Sequence, residues 1–138
     1  MALLDVNALV ALAWDSHVQH VQARRWFARH AAEGWATCPI TESGFIRISS
    51  NPGALPVAIG VDAACAVLSS LRQRGTHRFV LDDVSPTDDD VPVVSGYRQV
   101  TDAHLLTLAR RNGMRLLTFD RALTALAGGD DVEMLSAL

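Results

Sequence analysis

The sequence predicts an α/β fold: a three-layer α/β/α sandwich built on a mostly parallel, five-stranded sheet. Short apolar segments alternate with longer segments of helical periodicity along the chain, which is typical of this class. Because a helix follows almost every predicted strand, right-handed crossovers should place helices on both faces of the sheet. The length of 138 residues is that of one domain, so we expect a single domain over residues 1–138.

The first elements are a buried strand and two helices. Residues 2–6 are predicted as the strand, and Asn7 is expected to cap a helix over residues 8–14. An amphipathic helix follows and should end at Gly34. Its apolar face is predicted to carry Val18, Val21, Trp26, Phe27 and Ala31.

The middle of the chain repeats the order of strand and helix. Residues 35–39 are predicted as the second strand, and Thr41 is expected to cap a helix that carries Glu42 in its first turn and runs to about Ser49. After a loop rich in proline and glycine, residues 61–74 are predicted as a further helix.

The third strand is predicted over residues 78–81. The next stretch, residues 82–100, shows no clear periodicity, and its acidic, proline-rich first part is expected to be an exposed loop or a short distorted helix.

The last third returns to a regular pattern. Residues 101–112 are predicted as a helix capped by Thr101, followed by a strand over residues 115–119. Asp120 should begin the last helix, and residues 132–135 should form an edge strand.

Composition excludes several kinds of protein. The net charge of -3 gives no global attraction to nucleic acid, and the absence of lysine excludes P-loop phosphate binding and Schiff-base chemistry. Cys38 and Cys65 form no C-x-x-C pair and are expected to be reduced, buried thiols. Since no segment has the roughly 18 uninterrupted apolar residues that span a bilayer, we expect a cytoplasmic protein.

The candidate site is a set of acids at the junctions between strands or turns and helices. The carboxyl ends of parallel strands open on one edge of a sheet, so acids there can converge. Two carboxylates about 4 Å apart repel by roughly 4 kcal/mol at an effective dielectric near 20, which favours a divalent cation between them. Oxygen ligands favour Mg²⁺ or Mn²⁺. The acids are Asp5, Glu42, Asp102 and Asp120, although each alone also suits the first turn of a helix.

Other polar residues are set aside. The acidic runs at residues 82–83, 88–90 and 130–131 are interpreted as solvated loops. His17 and His20 lack a third ligand at zinc spacing. His104 follows Asp102 by two residues, which directs it to another face of the helix and leaves it a weak candidate for a proton or RNA contact.

Four segments, LLDVNALVAL, TESGFIR, VTDAHLLTLARRNG and LLTFDRAL, resemble the PIN domain and specifically the VapC-type toxin ribonucleases of bacteria. The resemblance covers essentially the whole chain. It implies that the four acids bind Mg²⁺, with Mn²⁺ as a substitute, and form the catalytic site. It also implies accessory or RNA-contacting roles for Asn7, Arg47, Arg98 and Thr118.

The resemblance further implies that the protein is the toxin of a type II toxin-antitoxin system. It would form a homodimer and bind a cognate VapB-type antitoxin. Its activity would be metal-dependent hydrolysis of RNA that leaves a 3′-hydroxyl and a 5′-phosphate. A divalent ion suits that chemistry because it activates water and offsets the charge that develops on phosphate oxygens. The alternative is a PIN-like module that binds RNA or protein without cutting. A haloacid-dehalogenase phosphatase and a receiver domain both need a lysine that this chain lacks.

Overall fold

The sheet has five parallel strands in the order β3-β2-β1-β4-β5, in a computed structural model that describes residues 1–127 and 130–135. The predicted fold is confirmed, and every strand pair is parallel. The strands are β1 (Ala2–Leu4), β2 (Trp35–Thr37), β3 (His77–Phe79), β4 (Arg115–Thr118) and β5 (Val132–Met134).

Helices connect the strands on both faces of this sheet. The helices of the described residues are α1 (Val6–Ala13), α2 (His20–His30), α3 (Pro39–Ser49), α4 (Val61–Leu71), α5 (Val100–Arg111) and α6 (Ala122–Ala127). A short 3-10 turn, Tyr97–Gln99, precedes α5.

The alternation of side chains along the strands produces two cores. Leu4 and Leu117 point to the face covered by α1, α2, α3 and α4. Leu3 and Leu116, their neighbours in sequence, point to the face covered by α5 and α6. All four leucines are at most 1% exposed, as expected for central strands buried on both sides.

The crevice that such sheets use for ligands lies beside β1. The chain runs from β1 outward to β2 and β3 on one side, and β4 and β5 lie on the other side, so the strand order reverses between β1 and β4. Ligands of parallel α/β sheets bind at this point, beyond the carboxyl ends of the strands. Asp5 follows β1 there, and its backbone N–H donates to the carbonyl of Leu117 on β4 (3.0 Å).

The predicted start of α1 was wrong. The helix begins at Val6, and Asp5 is its N-cap, with Oδ1 accepting a hydrogen bond from the Ala8 N–H (2.7 Å). Asn7 lies exposed in the first turn. Aspartate and asparagine cap helices about equally well, so the choice was decided by where β1 ends, two residues earlier than predicted.

Two further caps also differ from prediction. Helix α3 begins at Pro39, which is favoured at a first helical position, and Thr41 lies two residues inside it, where its hydroxyl accepts from the Cys38 N–H (3.0 Å). Helix α5 begins at Val100 rather than at Thr101, and its N-cap residue Gln99 makes no side-chain capping bond.

Three residues predicted to be buried are exposed. Helix α2 begins only at His20, so Val18 lies before it, and the side chains of Val18 and Val21 are 89% and 57% exposed. Cys65 is exposed while Cys38 is buried. The buried face of α4 is formed by Ala64, Leu68 and Leu71, and the rotation of about 100° per residue turns Cys65 away from this face.

Helices α1 and α3 approach each other closely at a glycine. A Cβ atom placed on Gly44 would lie 2.6 Å from Cγ2 of Val6, far inside van der Waals contact. A larger residue at position 44 would therefore have to displace the side chain of Val6 or move the two helices apart. Gly44 follows Glu42 by two residues, and Val6 follows Asp5 directly.

None of the helices within residues 1–127 and 130–135 is long and apolar enough to cross a membrane.

Candidate active site

Asp5 is the most unusual acid in the molecule because its carboxylate is buried, with only 7% of the residue exposed. Its Oδ1 caps α1, and its Oδ2 accepts a short hydrogen bond from the hydroxyl of Thr118 on β4 (2.5 Å). Burial, with a smaller contribution from the charges of Asp102 and Asp120, raises the pKa of Asp5 to about 6, although the two hydrogen bonds act to lower it. The chain therefore holds a carboxylate where its ionised form is costly.

Asp102 and Asp120 share this edge of the sheet. Asp102 lies half-buried in the first turn of α5, and its pKa is raised by burial and then by the charge of Asp120. Asp120 is exposed and follows β4, where its Oδ1 accepts from the Ala122 N–H (2.9 Å) at the start of α6. Its own N–H donates to the Thr118 hydroxyl (3.0 Å), so one threonine connects Asp5 to the backbone of Asp120.

Glu42 is placed differently from the other three acids. It lies in the first turn of α3, accepts a hydrogen bond from the Thr37 hydroxyl (2.7 Å), and forms an ion pair with Arg72, which follows α4 (Nη1 to Oε1 3.3 Å). Its charge does not contribute to the raised pKa of Asp5 or Asp102. The structure thus brings three of the predicted acids into electrostatic contact and holds the fourth against an arginine.

The three interacting acids have no cationic partner in the part of the chain that the structure describes. Asp5, Asp102 and Asp120 take part in none of its ion pairs. Seven other acids pair with an arginine or a histidine: Glu33, Glu42, Asp82, Asp83, Asp88, Asp90 and Asp131. Asp15, Asp62, Asp89, Asp130 and Glu133 form no ion pair either, but they lie exposed or only partly buried, so Asp5 is the one unpaired acid of the described residues that is buried.

This donor set fits a hard divalent cation in its chemistry. It offers carboxylate oxygens only, and a cation would offset both the burial of Asp5 and the repulsion among the three charges. Within residues 1–127 and 130–135, however, no three His, Cys, Asp or Glu side chains stand close enough together to hold a metal ion. Binding an ion would thus require the side chains of this open arrangement to draw together.

The other predicted residues lie in three different settings. Asn7 and Arg47 are exposed, the first at the start of α1 and the second in the last turn of α3. Arg98 is exposed in the 3-10 turn before α5 and lies over the ring of Tyr97 (5.7 Å). Thr118 is fully buried, so its placement suits it to orient Asp5 rather than to touch RNA.

Two contacts beside these acids were missed by the sequence interpretation. One is the Arg72–Glu42 ion pair, whose partners are 30 residues apart with no local signal. The other joins Asp82 to His104, whose Nε2 lies 2.7 Å from a carboxylate oxygen. Asp82 was interpreted as part of a solvated loop, and that was wrong: it follows β3 at the carboxyl edge of the sheet, the position that singled out Asp5.

Comparison with known proteins points to one family. The family model described as the PIN domain matches residues 2–129. Ribonuclease VapC38 of Mycobacterium tuberculosis is 65% identical over 127 residues, which are 92% of this chain and 90% of that protein. Ribonuclease VapC39 of the same species is 47% identical over 137 residues, which are 97% of this chain and 99% of that protein.

A solved structure agrees with the fold. The crystal structure of VapC20 of Mycobacterium tuberculosis, a toxin that cleaves the sarcin-ricin loop, matches with a TM-score of 0.65 and covers 91% of this chain and 94% of its own. At 17% identity the match supports the shared architecture alone.

Proposed function

This chain belongs to the PIN-domain family and, within it, to the VapC-type ribonucleases, and from this premise we propose that it is the toxin of a type II toxin-antitoxin system. Its activity is endonucleolytic hydrolysis of RNA phosphodiester bonds, dependent on Mg²⁺ or Mn²⁺. The domain spans residues 1–138, works in the cytoplasm, and assembles as a homodimer with a cognate VapB-type antitoxin.

The observation that carries the proposal is the uncompensated charge around Asp5. A buried carboxylate whose pKa is raised to about 6, next to two further acids without cationic partners among the described residues, is an unfavourable arrangement for a purely structural site. Clusters of this kind are expected where a ligand supplies the missing positive charge.

In the proposed site Asp5 and Asp102 are the principal metal ligands. Thr118 fixes the orientation of the Asp5 carboxylate through its hydrogen bond. Asp120, exposed at the rim, contacts a second ion or orients the attacking water, and Glu42 does so once it separates from Arg72. When bound, the ion supplies Lewis-acid polarisation of the phosphate and activation of water.

RNA reaches the site from the exposed side of the crevice. Arg47 and Arg98 are the proposed phosphate contacts and Asn7 a polar contact, because all three are exposed on elements next to the acids. Since the net charge of the chain is -3, these local cations must supply the attraction to RNA that the whole molecule does not. The antitoxin is proposed to cover the same acids with an arginine.

The proposal is tested by incubating the purified protein with total cellular RNA in Mn²⁺ or Mg²⁺ and sequencing the product ends. Cuts that leave 5′-phosphates, disappear with EDTA and disappear in Asp102→Asn are expected. Asp89→Asn is the matched control, since it removes the same charge from an exposed loop position. If the wild type binds RNA yet makes no metal-dependent cut, the non-catalytic PIN-like module becomes the better description.

A further inference from the structure

The position of Asp102 depends on a helix that follows a long irregular segment. Between β3 and α5, within residues 80–99, the chain forms only the 3-10 turn, whose residues are largely exposed. Helix α5 then starts without a side-chain cap at Gln99. The first turn of α5, which carries Asp102, is thus fixed by the burial of the residues that follow it and by one side-chain contact from α5 to the segment after β3.

That contact is the pair formed by Asp82 and His104. The Nε2 atom of His104 lies 2.7 Å and 3.0 Å from the two carboxylate oxygens of Asp82, and the two side chains are only 9% and 14% exposed. Asp82 is itself fixed to the sheet, because two residues earlier the Val80 N–H donates to the carbonyl of Thr37 on β2 (2.8 Å). The pair thus joins the carboxyl end of β3 directly to the start of α5.

His104 lies where it can affect the position of Asp102. It follows Asp102 by two residues in the same helix, with the buried residue Ala103 between them. Because the backbone of a helical turn moves as a unit, a side chain held by two carboxylate oxygens fixes the Cα position and the Cα–Cβ direction of Asp102, from which its carboxylate extends. Nothing comparable holds Asp102 itself, whose carboxylate makes no hydrogen bond within the described residues.

A second set of contacts also joins residues 80–99 to α5 and can be compared with the pair. Arg111, in the last turn of α5, binds Asp88 (2.8 Å) and Asp90 (2.6 Å) and lies near Asp83 (3.9 Å). It lies seven residues from His104, about 10 Å along the helix. Arg111 therefore holds the loop to the far end of α5 without contacting the turn that carries Asp102.

From this geometry we propose that Asp82 and His104 form a positioning pair that holds Asp102 toward Asp5 and Asp120 for metal binding. The inference rests on the proposed function, since it gives the pair a role in a metal site. If the pair only stabilised the fold, its loss would weaken ion binding no more than loss of the Arg111 contacts does. A positioning role requires that loss of the pair weaken ion binding more. Neighbours that orient metal ligands commonly affect metal affinity by about 10-fold to 100-fold.

The test is the dissociation constant for Mn²⁺ in the full chain, measured by the paramagnetic resonance signal of the free ion. His104→Leu is expected to raise it by about 10-fold or more, and Asp82→Ala is expected to do the same. His104→Gln keeps an N–H donor and should recover part of the affinity. Arg111→Met is the matched control and should leave the constant unchanged. Urea unfolding of each variant identifies any that is not folded, and Asp82→Ala serves if His104→Leu fails to fold.

Three outcomes would overturn the inference. Equal affinity in wild type, His104→Leu and Asp82→Ala would show that Asp102 needs no such support. Equal weakening in Arg111→Met would show that the segment acts only through general stability. A wild type that binds no Mn²⁺ would overturn the proposed function and this inference together, whereas the first two outcomes leave the proposed function intact.

Discussion

Replacing Asp5 with asparagine is expected to stabilise the metal-free protein at neutral pH, although Asp5 caps a helix. The amide keeps an oxygen for the Ala8 N–H and places an N–H where Thr118 can accept it. The substitution therefore removes the charge while preserving most of the local hydrogen bonding.

The size of the effect follows from the pKa of Asp5, which the folded protein raises from 3.8 to about 6. A raised pKa means that the folded state binds the proton more tightly than the unfolded state. The free energy of unfolding of the wild type should thus fall as pH rises between about 4 and 6, relative to the variant. At about 1.4 kcal/mol per pKa unit, the cost of ionising Asp5 reaches up to about 3 kcal/mol above pH 6.

The assay is urea unfolding in EDTA at several values of pH from 4 to 7.5, comparing Asp5→Asn with the wild type. The two proteins should be nearly equal in stability at pH 4, and the variant should be the more stable by a few kcal/mol at pH 7.5. Adding Mn²⁺ should reverse the order, because an ion that binds only the folded wild type stabilises it by mass action.

Asp62→Asn is the matched control, since Asp62 is an exposed acid in the first turn of α4. A variant at position 5 that is less stable than the wild type at pH 7.5 would refute the reasoning. So would a difference in stability that does not change between pH 4 and pH 7.5. Either result would mean that the hydrogen bonds to Asp5 outweigh its burial.

Three further predictions concern other residues. Arg72→Gln should tighten Mn²⁺ binding severalfold in a thermal-shift titration, because it releases Glu42 from its ion pair, and weaker binding would contradict the proposed role of Glu42. Expression of the wild type without antitoxin should slow bacterial growth, while expression of Asp5→Asn should not; equal growth curves at equal protein levels would count against a toxin. A thiol reagent should modify the exposed Cys65 in the native protein and the buried Cys38 only on unfolding, so immediate reaction of both would contradict their assigned exposure.

The fold could be predicted from the sequence because its signals are local. Apolar strands such as β1 and β4 are flanked by helices with clear periodicity, and this alternation has few possible topologies. The ends of the strands and helices were predicted less accurately. Asp5 and Asn7 are about equally good caps, and no local signal showed that β1 ends at Leu4 and that the side chain of Asp5 caps α1.

The candidate site was predictable only in part, because some of its contacts join residues that are far apart in the sequence. The rule that places acids at the carboxyl edge of a parallel sheet identified Asp5, Asp102 and Asp120, which do interact. The same rule applies to Asp82, but an acidic run in a segment without periodicity concealed it. The separate placement of Glu42 depends on Arg72, and no sequence pattern indicates that contact because it is formed by packing α4 against α3.

The close crossing at Gly44 bears on which cation the molecule would prefer. Its contact with Val6 sets how closely the helix that begins after Asp5 can approach the helix that carries Glu42. An alanine there would have to lengthen the 2.6 Å contact toward the roughly 3.5 Å of ordinary carbon contacts. Oxygen ligands stand about 0.4 Å farther from Ca²⁺ than from Mg²⁺, which is about half of that displacement. Discrimination between small and large ions would then depend on a residue that has no ligand atom in its side chain.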